Sequence, residues 1–317
     1  MSSRSQPQSN LRMQIACMLI LHALISTCLA DSLSNDGYQV RIGQVLSGIA
    51  QSVSTAAQYP SMALPLSRFK NHLQTEYDEF SIPKQLISVP GHVALILDGD
   101  RRWSDEQNYQ DRAYGYLFGA LRLGQIMALA QKSGISQLTL YLFSTENFRR
   151  PEHEVRVLMS LLEQSFQQFQ DQLVDSNMRF RHLGRRQGLP KSLLDTLDVL
   201  TATTANNTGM RVNLAINYGG TAEIEDAAKA ILKSYVDGTL PDQFRFNDYL
   251  YSSSLDGWSN PDLVIRAGRE KRISNFLPLQ SIYSEWVFRN ELWPAFTPDV
   301  FIESLQEFNK RERRLGR

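Results

Sequence analysis

The stretch VALILDGDRRWS, Val93 to Ser104, decides how the rest of the chain is read. With His92 ahead of it, it opens as an unbroken apolar run of strand length. That is the pattern of a strand buried on both faces of a parallel sheet. It then ends in two acids, Asp98 and Asp100, followed at once by Arg101, Arg102 and Trp103. In open α/β sheets, ligands sit beyond the carboxyl ends of the strands, so charge gathered there is a candidate site.

Downstream, strand-like and helix-like segments alternate. YGYLFGALRLGQIMALAQKSG has apolar residues at helical spacing and stops at Gly134. QLTLYLFS is a second strand. PEHEVRVLMSLLEQSFQQFQDQLVDSN opens on Pro151 and acids and continues as a long amphipathic helix. MRFRHLG and MRVNLAINYG read as strands, LPKSLLDTLDVLTATT and TAEIEDAAKAILKSYVDG as helices, and PDLVIRAG and IYSEWVF as short strands. The last helix has Thr297 as N-cap and Pro298 at its first position. The expected fold is α/β: a single domain with a central, mostly parallel sheet flanked by helices.

The chain has 317 residues, 42% hydrophobic and 21% charged, with a formal net charge of +0. That is ordinary globular composition, and no global field draws it to nucleic acid. Both cysteines, Cys17 and Cys28, lie near the N-terminus, so a disulfide framework or thiolate metal site elsewhere is excluded. Residues 1–30 combine an acid-free Ser/Arg segment with an apolar stretch ending in small residues. This reads as a secretory signal or anchor, a transit peptide, or the product of a misassigned start. Residues 31–60 read as a linker, and 61–317 as the catalytic domain. The expected location is cytoplasmic, with membrane association open. The basic run Lys310 to Arg314 reads as a solvated helix end, with contact to anionic lipid as the alternative. His92 and His153 read as surface or capping histidines, since no second His or Cys stands at metal spacing.

Three strand ends carry arginines: Arg101 and Arg102 with Arg112 nearby, Arg149 and Arg150, and Arg266, Arg269 and Arg272 with Ser274. Guanidinium forks bind phosphate oxygens two at a time, so a phosphate ester is the simplest ligand. Asp98 among them is either a salt-bridge partner or a Mg²⁺ ligand, since Mg²⁺ takes one or two carboxylates plus substrate phosphates. Glu285 is a second acid in an apolar setting. Trp103, Tyr116, Leu142, Phe143 and Phe148 are core packing or the wall for a hydrocarbon body. There is no P-loop and no G-x-G-x-x-G.

The ordered blocks HVALILDGDRRW, YLFSTENFRRP, NLAINYGG, DLVIRAGREKRISNF, YSEWVF with LWPAF, and RERRLG resemble the cis-prenyltransferases, the undecaprenyl diphosphate synthase family, over His92 to Arg317. The resemblance implies a hydrophobic tunnel, a homodimer, and Mg²⁺-dependent condensation of isopentenyl diphosphate with an allylic diphosphate. It implies that Asp98 holds Mg²⁺, with Glu285 as the second metal acid, and that Gly99, Asp100, Arg101, Arg102, Arg112 and Arg150 bind the allylic diphosphate. Arg266, Arg272, Ile273 and Ser274 would serve isopentenyl diphosphate. Asn147, with Ser144, Thr145 and Glu146 beside it, would help remove a substrate proton. Trp103, Tyr116 and Phe148 would line the allylic side.

This chain departs from the family pattern in places. Asp100 stands where an amide is usual, Ala267 where a hydroxyl is usual, and Arg269 where glycine is usual. Phe148 replaces a frequent Trp and Tyr116 a frequent His. Leu142 stands where long-chain members often have Ala, so the expected product is short, C15 to C20. An irregular-coupling or cyclising relative is the alternative. A non-catalytic partner subunit fits less well, because such partners typically lack the Asp98–Arg102 residues.

Overall fold

The computed structural model describes residues 89–109, 112–168 and 174–313, apart from the side chains of 113, 117, 121 and 168. The readings of residues 1–30 and 31–60, and the domain start at 61, lie outside the described residues. Six strands form one sheet: β1 His92–Ile96, β2 Gln137–Ser144, β3 Arg179–Leu183, β4 Arg211–Tyr218, β5 Leu263–Arg266 and β6 Glu285–Phe288. Their order is β3-β4-β2-β1-β5-β6, and every pairing is parallel. The expected mostly parallel sheet is wholly parallel among the described residues.

The helices are α1 Asp100–Glu106, α2 Ala113–Lys132, α3 Glu152–Gln168, α4 Lys191–Thr203, α5 Gly220–Val236 and α6 Pro298–Asn309. Strand residues alternate between two cores. Val93 and Leu95 join the larger core with side chains of α2, α3, α4 and α6, while Ala94 and Ile96 face Leu255, Phe276 and Leu277. This two-sided burial is why β1 reads as an unbroken apolar run. From β1 the chain moves to β2 on one side, and later to β5 on the other. The crevice at such a reversal, beyond the strand ends, is where α/β sheets hold ligands.

A β-bulge in β2 changes what that strand presents. Register shifts between Tyr141 and Phe143 and again before Ser144. As a result the consecutive Leu142 and Phe143 both pack with the larger core.

His92 is no surface residue. It is fully buried at the start of β1, its ring held by the Ser259 carbonyl at 2.6 Å and the Thr139 hydroxyl at 2.7 Å. Burial pushes its pKa down to about 4, against about 6.5 unfolded. Between those values the unfolded chain binds a proton that the folded chain refuses, so stability rises with pH there. The contribution is complete above pH 6.5 and is lost as pH falls toward 4, a loss of about 3 kcal/mol in full. Urea unfolding at pH 7 and pH 4.5 should show most of this difference in the wild type and much less in His92→Asn.

The basic run is also tied down. Arg311 pairs with Glu285 at 2.9 Å, and Arg313 with Asp262 at 2.8 Å. The C-terminal residues thus lash α6 to the sheet. Among the described residues, no helix is long and apolar enough to cross a membrane.

Candidate active site

The ends of β2, β1 and β5, neighbours in the sheet, carry the charges singled out above. Just past β1, Asp98 accepts from Arg266 at 2.8 Å through one oxygen and pairs with Arg102 at 3.0 Å through the other. Arg266 is almost wholly buried, and its guanidinium also donates to the Arg272 carbonyl and the Ser274 hydroxyl. Burying a guanidinium is costly unless a carboxylate and hydrogen-bond acceptors meet it, and Asp98 is that carboxylate. Arg102 reaches on to Glu270 at 3.6 Å, and Arg272 pairs with the same acid.

A second cluster forms across the mouth. Glu154, on α3, accepts from Arg150 at 3.1 Å and from the Tyr116 hydroxyl at 2.9 Å, and lies 3.5 Å from Arg101. Arg112 forks onto Asp105 at 2.9 and 3.0 Å. Asp105, Glu154 and Glu270 did not stand out in the sequence. An acid on an amphipathic helix or in a charged loop looks like ordinary solvated surface. Only the fold brings Glu154 to Tyr116, 38 residues away. These acids hold the guanidinium groups in fixed poses around the mouth.

The turn after β2, Thr145–Arg149, brings Glu146 and Asn147 to the same mouth. The Asn147 side-chain oxygen accepts the Ser144 N–H at 3.1 Å, which fixes the turn. The charged mouth and the apolar hollow behind it form one cavity of about 930 Å³. One wall is α2, through Tyr116, Ala120, Leu123 and Met127. Leu158, Leu162 and Phe166 of α3 face it, and Leu142, Phe180 and Leu214 of the sheet close it. Gly115 and Gly119 let α2 sit this close. A Cβ at 115 would lie 2.0 Å from the Asp100 carbonyl oxygen, and one at 119 would lie 2.2 Å from the Asp100 carboxylate.

Gly99, Asp100, Ser144 and the arginines Arg101, Arg102, Arg112, Arg150, Arg266 and Arg272 all border this cavity, as do Tyr116 and Ser274. Five expected residues do not. Trp103 is buried against Phe118, with ring centroids 4.5 Å apart. It points into the core because it lies on the inner face of α1. Thr145 and Phe148 border a separate surface hollow with Arg185 and Tyr251. Ile273 is 41% exposed. Glu285 is the first residue of β6, in register with Leu263, the first of β5. It therefore sits at the sheet edge opposite Asp98, paired with Arg311, and one chain does not bring the two acids together.

The departures at Asp100 and Arg269 have local explanations. Arg101 and Arg102, the obvious counter-ions for Asp100, are committed to Glu154 and to Asp98 with Glu270. The Asp100 carboxyl instead packs against Gly119, beside Trp293. Burial pushes its pKa up to about 8, with the Asp98 charge adding to this and Arg150 opposing it. The shift favours the neutral acid, which is closer in polarity to an amide. Arg269 has φ of 69°, a left-handed conformation that suits the family's glycine. It forks onto Glu106 at 2.6 and 3.2 Å and points away from the cavity.

The loop beyond β5 is strained. Ser274, Asn275 and Leu277 all have positive φ, at 48°, 61° and 48°, each costing a non-glycine residue about 1–2 kcal/mol. Leu277 is fully buried, Phe276 stacks on Tyr141 at 4.4 Å, and the Tyr141 hydroxyl donates to the Ser274 carbonyl at 3.3 Å. Packing thus holds Ser274 against Arg266 despite the strain.

Comparison with known proteins places this arrangement. The family model described as "Putative undecaprenyl diphosphate synthase" matches residues 96–316. An isoprenyl transferase of Bacillus subtilis (strain 168) is 39% identical over 232 residues, covering 72% of this chain and 88% of its own. A tritrans,polycis-undecaprenyl-diphosphate synthase (geranylgeranyl-diphosphate specific) of Pyrococcus abyssi is 40% identical over 248 residues, covering 76% and 92%. Among solved structures, lavandulyl diphosphate synthase from Lavandula x intermedia, in complex with dimethylallyl diphosphate, superposes with a TM-score of 0.68. It is 31% identical and covers 72% of this chain and 99% of that one. A family match over residues 96–316 and identity of 39–40% over about three quarters of the chain go beyond a shared fold: the chain belongs to the undecaprenyl diphosphate synthase family and is an isoprenyl transferase.

Proposed function

We propose that this cis-prenyltransferase extends a short allylic diphosphate with isopentenyl diphosphate and stops at C15 to C20. One observation carries the reading. The cavity begins at an arginine-lined mouth and ends against Leu142, Phe166 and Phe180, enclosing about 930 Å³. That is the upper end of the roughly 300–1,000 Å³ that suits a drug-sized ligand. It matches a C15 to C20 chain with its head group better than a C55 chain.

In this reading Arg101, Arg102, Arg112 and Arg150 hold the allylic diphosphate, while Arg266, Arg272 and Ser274 hold isopentenyl diphosphate. The allylic C–O bond breaks, and diphosphate leaves with the electron pair. The isopentenyl double bond forms the new C–C bond, and a proton is lost from its C2. The arginines stabilise the charge on the leaving group. Ser144 and Asn147 carry no basic group at neutral pH, so they orient the isopentenyl moiety, and the departing diphosphate accepts the proton. The apolar wall keeps water from the allylic cation.

Members of this family are generally Mg²⁺-dependent. Asp98 fits that ion, being a hard oxygen donor at the cavity mouth. Among the described residues no group of three or more His, Cys, Asp or Glu forms a metal cage. A lone carboxylate suits Mg²⁺, which draws its other ligands from phosphates and water. When bound, the ion would supply further positive charge for the leaving diphosphate. The homodimer belongs to the same reading, and peripheral contact with lipid would serve product release.

A second reading, irregular coupling, is favoured by the similarity to lavandulyl diphosphate synthase. One assay separates the two. Purified protein with Mg²⁺ and isopentenyl diphosphate should convert dimethylallyl, geranyl or farnesyl diphosphate into linear C15 to C20 products, read by mass spectrometry. A dominant C55 ladder would overturn the chain length. A branched product from dimethylallyl diphosphate alone would overturn regular coupling.

A further inference from the structure

The two sets of substrate-holding residues sit on separate loops. Arg150 follows the turn after β2, whereas Arg272 and Ser274 ride on the loop after β5. For a carbon–carbon bond to form, the two bound substrates must be held at a fixed separation. The Asn275 side chain ties the turn after β2 to the loop after β5. The Asn275 side-chain Nδ2 donates to Glu146 Oε1 at 2.7 Å, on the turn after β2. Its Oδ1 accepts from the Thr221 N–H at 2.9 Å and the Thr221 hydroxyl at 3.0 Å, in the first turn of α5. Its backbone carbonyl accepts the Gly220 N–H at 2.8 Å.

The surroundings are shaped to allow this. A Cβ at Gly219 would come within 3.0 Å of Asn275 Nδ2, and a Cβ on Gly220 within 2.1 Å of Pro278. The paired glycines of NYGG thus leave room for the loop to lie on the start of α5. Asn275 itself has positive φ, which asparagine tolerates better than most residues.

We propose that Asn275 is a positioning residue for condensation: its amide ties the Glu146 turn to the strained loop after β5 and so sets the spacing between the two diphosphate-binding groups. This rests on the assignment of those groups under Proposed function. The two ends of the amide have separable duties. The oxygen caps α5 and serves stability, whereas the NH2 group holds Glu146 and serves the reaction.

Asn275→Asp separates them. The carboxylate keeps the acceptor for Thr221, and a negative charge at a helix N-terminus is favourable. It loses the donor and faces the Glu146 carboxylate. The expected result is a thermal midpoint within about 2 °C of wild type, with kcat/KM for isopentenyl diphosphate down at least about 10-fold. The double variant Asn275→Asp with Glu146→Gln reverses donor and acceptor, and it should recover at least half of that loss on a logarithmic scale. A kcat/KM in Asn275→Asp within about threefold of wild type would overturn the proposal. So would a double variant no better than Asn275→Asp, or a fall in midpoint that accounts for the lost activity. Wild type is assayed alongside. If it yields no linear product, the functional reading fails and the positioning role falls with it; if it turns over normally while the variant is unaffected, only the positioning role fails.

Discussion

Asp98→Asn should lose about 10³-fold in kcat, equivalent to about 4 kcal/mol of transition-state stabilisation, while its thermal midpoint stays within a few degrees of wild type. Asparagine keeps an oxygen that accepts from Arg266, so the buried guanidinium retains a partner along with the Ser274 hydroxyl and the Arg272 carbonyl. What is lost is the negative charge that would hold Mg²⁺. Chelating the metal should bring wild-type turnover down to the level of the variant and leave the variant's residual rate almost unchanged. Asp98→Ala should be less stable than Asp98→Asn, because it also removes the oxygen that accepts from the nearly buried Arg266 guanidinium. A rate within tenfold of wild type in Asp98→Asn would remove Asp98 from the metal assignment.

Leu142→Ala should lengthen the product. Leu142 borders the cavity through one of the two consecutive β2 side chains turned the same way by the bulge. Truncation removes three carbon atoms where the growing chain would meet the sheet. The side chain is only half-buried and already faces empty space, so the stability cost should fall below the roughly 2–5 kcal/mol of a fully packed Leu→Ala change. Mass spectrometry should show the main product moving beyond C20 with turnover per condensation largely kept. An unchanged product distribution would move the length determinant from Leu142 to Phe166 or Phe180.

Much of this molecule could be read before folding. The four inner strands lie in mainly apolar runs, because burial on both faces leaves little room for polar positions, whereas the edge strands β3 and β6 are only partly buried. The cationic mouth could be inferred too, since strand ends in a parallel sheet converge. Other features depended on facts that a linear reading does not carry. Glu154 meets Arg101, Arg150 and Tyr116 only because the fold brings the starts of α2 and α3 together at the cavity mouth. Trp103 was placed on the substrate side although helix geometry turns it inward. Glu285 has a simpler lesson. It begins its strand, whereas Asp98 follows the end of one, and parallel strands put beginnings and ends on opposite edges. His92 misled for a different reason: it heads an apolar run, and its polarity is spent on buried partners that only the fold supplies.

The glycine contacts of α2 have a mechanical consequence. One wall of the cavity is braced backbone-to-backbone against the turn that carries Asp98 and Asp100. The opposing wall, α3, meets the cavity through Leu158, Leu161 and Leu162, all only half-buried. Pressure from a lengthening hydrocarbon therefore falls on unequal springs. A chain too long for the cavity would press on α3 before it could displace α2.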